Sequence, residues 1–133
     1  DVAASVGLEY HLDRTLTGNT RDAHRLVQWA QSRGDASDLI DAIYRAYFTD
    51  GLPVFTPDDL VPIAEAQGYD GDEVRRVLAS GEWWTEVMED QQEASALGAN
   101  GVPFFVLDRR LGISGAQPAE VFESALRQAA EAG

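Results

Sequence analysis

Gly112-Ile-Ser-Gly-Ala116 approaches the Gly-x-Ser-x-Gly pattern of a nucleophile elbow, with a helix to follow. The fifth residue is alanine, however, and Pro118 delays the helix. Both histidines also lie upstream, whereas that fold places its histidine after the serine. Ser114 therefore reads as a strand residue facing a loop. Asp70-Gly-Asp-Glu73 gathers oxygens that a hard cation would accept, but the twelve-residue calcium loop is absent and a helix cap accounts for the same residues. His11 and His24 have no cysteine partner and no second histidine at ligand spacing, so no metal site is read. Alternation sets His11 on the polar face of a strand. His24 lies beside a buried helical stripe and reads as a hydrogen-bonded structural residue. Trp83 and Trp84 open a helix and read as core and rim. Gly101-Val-Pro-Phe-Phe105 is more informative: a proline opens a strand directly after a helix, where a cis Val102–Pro103 bond fits the reversal. The alternative is a trans proline blunting an edge strand.

Composition narrows the chemistry further. The 133 residues suit one domain with a single core, and 44% apolar with 25% charged residues is the balance of a globular protein. Twenty-three acidic against ten basic residues give a net charge of −13. Such a surface repels phosphate backbones and anionic lipid, so neither nucleic acid nor membrane is an expected partner. Every basic residue is arginine, which removes P-loop and lysine-based chemistry from these residues. With no cysteine there is no disulfide, thiolate zinc or thiol catalysis here either, and no cofactor is implied. No run is long and apolar enough for a membrane span, and the first residues lack the basic start of a signal peptide.

The elements that would position these residues follow from periodicity. Leu8, Tyr10 and Leu12 alternate with Glu9, His11 and Asp13, the pattern of a short strand with one buried face. Ala23, Leu26, Val27 and Ala30 share a helix face, with Asn19 or Thr20 as N-cap and Gly34 as stop. A second helix carries Leu39, Ile40, Ile43, Tyr44, Tyr47 and Phe48 as far as Gly51. Thr56-Pro57 opens a third, in which Pro62 predicts a kink or delayed start. Asp70 caps a short helix with Val74, Val77 and Leu78 inward. A longer one carries Trp84, Val87, Met88, Gln91 and Leu97 and closes at Gly98. Val102–Leu107 and Leu111–Ser114 pair as a hairpin about Asp108-Arg-Arg110, although Arg-Arg is poor turn chemistry and a longer loop is the alternative; both faces are expected to be buried. A last helix turns Val121, Phe122, Ala125, Leu126 and Ala129 inward. A lone strand and a hairpin make a poor sheet, so the pattern implies that something completes it.

Taken together, Gly101-Val-Pro-Phe-Phe105, Gly112-Ile-Ser-Gly-Ala-Gln-Pro118 and Val121-Phe-Glu-Ser-Ala-Leu126 resemble the C-terminal half of DsbA-like thioredoxin-fold proteins of the FrnE type. Gly18-Asn-Thr-Arg-Asp-Ala-His-Arg-Leu26, Ala46–Asp50 and Val77–Ser80 match the same family's helical insertion. The resemblance implies an α/β protein: an incomplete thioredoxin-like fold with a large all-helical insertion, its first strand and active-site helix absent. On that likeness residues 1–18 hold the second strand, 19–97 the insertion, and 98–133 the cis-proline loop, hairpin and C-terminal helix. Val102 and Pro103 would orient an extended peptide, with Gly115, Ala116 and Gln117 shaping the adjoining loop. The family's Cys-x-x-Cys should precede Val6, so no catalytic residue is assigned to these 133 residues and they are expected to be redox-inactive. The implied activity is protein thiol–disulfide exchange, with a peptide or protein thiol or disulfide as substrate. The enzyme alternative is an isomerase of the 2-hydroxychromene-2-carboxylate or glutathione-transferase kappa type. A non-redox peptide-binding or assembly module is the other. The unpaired sheet edge predicts a homodimer, and the missing leader points to the cytoplasm.

Overall fold

Capped helices build most of the chain, which the computed structural model describes over residues 2–131. After a single turn, α1 (Val2–Ser5), the chain is irregular as far as a short 3₁₀ turn at Leu12–Arg14. Helix α2 (Arg21–Gln31) starts where the Asn19 side chain accepts from the Arg21 N–H at 2.9 Å. Before α3 (Ser37–Tyr44), the Asp35 carboxylate accepts from the hydroxyl and N–H of Ser37, which hold its pKa below the ordinary value. The α3 helix does not continue regularly to Gly51. It widens into a π-helical stretch, Arg45–Thr49.

Helix α4 (Pro57–Ala66) opens with a reciprocal cap: the Asp59 N–H donates to the Thr56 hydroxyl, and the Thr56 N–H donates to the Asp59 carboxylate at 2.9 Å. The delayed start expected from Pro62 does not occur. The helix begins at Pro57 and runs unbroken to Ala66. Pro62 faces solvent, and its missing donor deprives only the carbonyl of Asp58, in the exposed first turn where water can serve. Helix α5 (Gly71–Ala79) is capped by Asp70, which accepts from the Glu73 N–H at 2.9 Å. Leu26, Leu39, Leu60, Val74 and Val77 are fully buried, so α2, α3, α4 and α5 share one core. Residues 19–97 form helices and no strand.

Arg25 sits inside this core at 2% exposure, and its five donors are all engaged. Nε donates to the Glu82 carbonyl, while the two terminal nitrogens donate to the Asp22 carboxylate and to the carbonyls of Leu78, Val77 and Ser80. Two of those carbonyls belong to the last turn of α5, where the helix dipole favours a cation; the Val77 carbonyl also accepts from the N–H and hydroxyl of Ser80. The guanidinium thus anchors the 80–82 turn to α2. Trp83 follows with φ 64°, and α6 (Trp84–Ala96) begins.

The N-terminal segment differs from its expected form. Leu8–Leu12 is not a strand, and Leu8, Tyr10 and Leu12 are 51%, 41% and 64% exposed rather than buried. Alternation supplies a face, but a strand exists only where a neighbour accepts its backbone bonds. Here the His11 N–H donates to the Phe48 carbonyl and the Thr49 hydroxyl donates to the Glu9 carbonyl, so the segment is tied to the π-helical stretch.

The chain divides into two compact units, Asp1–Val87 and Met88–Gly133, the boundary falling within α6. In the second, β1 (Phe104–Leu107) and β2 (Leu111–Ser114) pair antiparallel with Phe105 opposite Ile113. Asp108 and Arg109 take φ of 51° and 55° in the turn, a pattern usually filled by Asn, Asp or Gly. Helix α7 (Ala119–Glu131) packs on the face carrying Phe105 and Ile113, and the Phe122 ring meets Phe105 edge-on at 4.8 Å. The expected burial of both hairpin faces is not found. Phe105 stays 40% exposed and Val106 is exposed, as are Val121 and Leu126 on α7, because one amphipathic helix covers only one face of two strands.

Two outcomes follow from the first unit. Arg25→Met should lower the unfolding free energy in urea by about 3 kcal/mol or more, since it strands buried carbonyls. Partial burial pushes the Asp59 carboxyl up, but the bonds from Thr56 and Phe55 outweigh it and hold its pKa below the ordinary value. A depressed folded pKa gives stability that is full above the unfolded value of about 4 and is lost as pH falls through the folded one. The stability gap between the wild type and Asp59→Asn should therefore be constant near neutrality and close in thermal melts below roughly pH 4.

Candidate functional site

The hairpin's open end brings together the five residues singled out in the sequence. Val102 and Pro103 lead into β1, and Gly115, Ala116 and Gln117 leave β2 directly opposite. The Gly115 N–H donates to the Pro103 carbonyl at 2.8 Å, extending the ladder by one rung, and Pro103 has no donor to return. Gly115 turns the chain with φ 82°. The Gln117 side-chain amide then donates to the Ser114 carbonyl at 2.8 Å, and its backbone N–H donates to the Gly115 carbonyl at 3.1 Å. The Val102–Pro103 peptide is cis, as the position of the proline suggests.

The strand alternation decides which backbone groups are free. Because Pro103 and Gly115 form a bonded pair, Pro103 and Phe105 point their carbonyls towards β2. Phe104 and Val106 point their N–H and carbonyl groups to the outer edge. Val102, 96% exposed, has no backbone partner among the described residues. On the face opposite α7, the Phe104 ring folds over Gly112, where a Cβ would come within 2.9 Å of the ring. That packing explains a glycine in the middle of β2. Phe104 and Val106 also line a groove with Ala94, Leu97 and Val102.

The other candidates resolve simply. Ser114 is exposed, and its own compact unit holds no histidine to serve as its base. Asp70 is a helix cap. Among the described residues no cluster of three or more His, Cys, Asp or Glu side chains could hold a metal. His11 pairs with the Glu9 carboxylate at 2.7 Å. His24 departs from its expected structural role: its side chain is exposed and has no hydrogen-bond partner among the described residues. No described helix is long and apolar enough to cross a membrane.

A cis-proline loop leading into a hairpin and closed by a C-terminal helix, downstream of a helical block, is an arrangement that can be compared. Residues 1–127 match the DSBA-like thioredoxin domain. The chain belongs to the DsbA-like thioredoxin family. A solved structure of a probable DsbA oxidoreductase from Streptomyces coelicolor is similar at 50% sequence identity and a TM-score of 0.89, over 97% of this chain. This chain spans 56% of that protein's length. No curated protein matches. The DsbA-like fold is represented here by a mostly helical chain with a small two-stranded sheet.

The loop's geometry depends on Gly115 more than on its neighbour Gly101. Gly115→Ala meets no close atom, the nearest being the Gln117 amide nitrogen at 3.6 Å, yet it forces an L residue to φ 82°. It should lower stability by about 1–2 kcal/mol in thermal unfolding. Gly101→Ala, in open space and without that backbone demand, should be near neutral.

Proposed function

We propose that this chain is part of a protein thiol–disulfide oxidoreductase of the FrnE type and supplies the surface that holds the substrate peptide. On this reading Val102 and Pro103 bind an extended segment through backbone hydrogen bonds, and Gly115, Ala116 and Gln117 wall the adjoining loop. Residues 1–18 and 98–133 belong to the thioredoxin-like part, and 19–97 form the helical insertion. The observation that carries it is the unpartnered backbone of Val102, held beside Gly115 and Gln117 by the Pro103–Gly115 bond. An exposed strand end with free donors and acceptors takes an added strand, and neighbouring side chains set its specificity. The 50% identity to a probable DsbA oxidoreductase supports the activity class.

The chemistry needs a low-pKa thiolate to attack the substrate disulfide and a second thiol to resolve the mixed disulfide. These 133 residues contain neither, so their part is to bind and orient. The outer edge of β1 also offers Phe104 and Val106 backbone groups, and we propose that the isolated chain pairs this edge with a second copy. Light scattering across a dilution series should then show a concentration-dependent dimer, and a 14.5 kDa species throughout would refute it.

Titration of the ¹⁵N-labelled chain with an extended, cystine-containing peptide should shift the amide signals of Val102, Gly115 and Gln117. Val102→Pro, which removes the donor, should weaken binding roughly threefold to tenfold, the worth of one hydrogen bond. The chain alone should reduce no insulin. Unchanged affinity in the variant, or shifts confined to other residues, would overturn the assignment.

A further inference from the structure

The first unit contains a cavity of about 380 Å³ that the hairpin loop does not use. Ala23, Ile43 and Val54, all buried, form its floor. Its wall is aromatic, built from Tyr44, Phe48 and Phe55. Thr17, Thr20 and His24 stand at its polar rim. The volume lies at the lower end of the range of about 300–1,000 Å³ seen for small-molecule sites, enough for one or two fused rings.

Several features hold this cavity open in one shape. Tyr47 meets Phe48 edge-on at 4.8 Å and Phe55 at 6.1 Å, and its hydroxyl donates to the Leu16 carbonyl at 2.7 Å. Gly18 lies flush against Phe55, since a Cβ there would come within 2.5 Å of the ring. Tyr47 and Phe48 are carried by the π-helical stretch Arg45–Thr49. Such stretches are rare in helices and occur frequently at functional sites.

The polar groups of the rim are left without protein partners among the described residues. Thr20 occupies the N-cap position of α2 but makes no side-chain capping bond, because Asn19 serves the Arg21 N–H instead. The His24 imidazole and the Thr17 and Thr20 hydroxyls have no hydrogen-bond partner among the described residues. Among the described residues no Asp, Glu or Arg lines the cavity, so a cation finds no counter-charge there, and a net charge of −13 disfavours an anion. What complements the site is a neutral ring with one hydroxyl. We propose that this cavity binds a phenolic group, its ring packed against Tyr44, Phe48 and Phe55 and its hydroxyl bonded to His24 or Thr20. Edge-to-face and offset contacts with those rings suit an aromatic occupant better than an aliphatic one. The group can belong to a free small phenol or to the tyrosine of a peptide.

Titration of the intact chain with 2-naphthol, read by NMR, should give saturable shifts at Thr20, His24 and Phe55. Naphthalene, lacking the hydroxyl, should bind roughly threefold to tenfold more weakly, and His24→Ala with Thr20→Val should remove that difference. His24 and Thr20 are exposed, so the double variant should keep the wild-type melting temperature. Val27→Phe, projecting into the cavity, should abolish binding of both compounds. A parallel arm with N-acetyl-tyrosinamide assigns the source: affinity equal to that of 2-naphthol indicates a peptide tyrosine, and much weaker affinity a free phenol. No saturable shift, or equal affinity for naphthol and naphthalene in the wild type, would overturn the proposal.

Discussion

The first unit depends on a cation buried where cations are ordinarily expelled. Arg25 is tolerated because each of its five N–H groups finds an oxygen, four of them backbone carbonyls around the end of α5. A guanidinium in a low-dielectric interior is unfavourable unless every donor is satisfied, and the carbonyls of Leu78, Ser80 and Glu82 would lose their donor in its absence. The arrangement is mutual. It joins α2 to the 80–82 turn and so determines where Trp83 and the start of α6 lie. The Arg21 guanidinium, resting 4.4 Å from the centre of the Trp84 ring, adds a contact between the same two stretches of chain.

The two units solve different physical problems. In the first, four helices contribute fully buried leucines and valines, and short caps satisfy their ends. In the second, Ile113 is the only buried apolar side chain among the described residues, and Phe105, Val106, Val121 and Leu126 stay in contact with solvent. A sheet of two strands has an open edge on either side, so its backbone groups are available for recognition. The loop at Val102 and Gly115 belongs to this available region, which is compatible with the proposed holding of a peptide.

The helices were legible in the sequence because their signals are local. Thr56-Pro57 and Asp70 place a side-chain oxygen three residues before an N–H that needs it, and nothing distant is required. The proline loop was legible for a similar reason, since Pro103 constrains its own backbone, whereas Arg109 at φ 55° carries no local turn signal. Family resemblance then tied those residues to one role, which periodicity alone could not do.

Tertiary structure decided the rest. Leu8–Leu12 alternates like a strand, but strand identity depends on a neighbour's donors and acceptors, and here those groups bond to Phe48 and Thr49 instead. Arg25 looks like any surface arginine on a helix, since the carbonyls that make its burial possible come from residues 52 to 57 positions later. The aromatic residues of α3 and the turn after it read as a core stripe, yet the π-helical stretch and the approach of Gly18 to Phe55 turn them into the wall of a cavity. Spacing along the chain determines which side chains share a face. Whether that face is buried, bonded or left open depends on atoms that arrive from elsewhere in the fold.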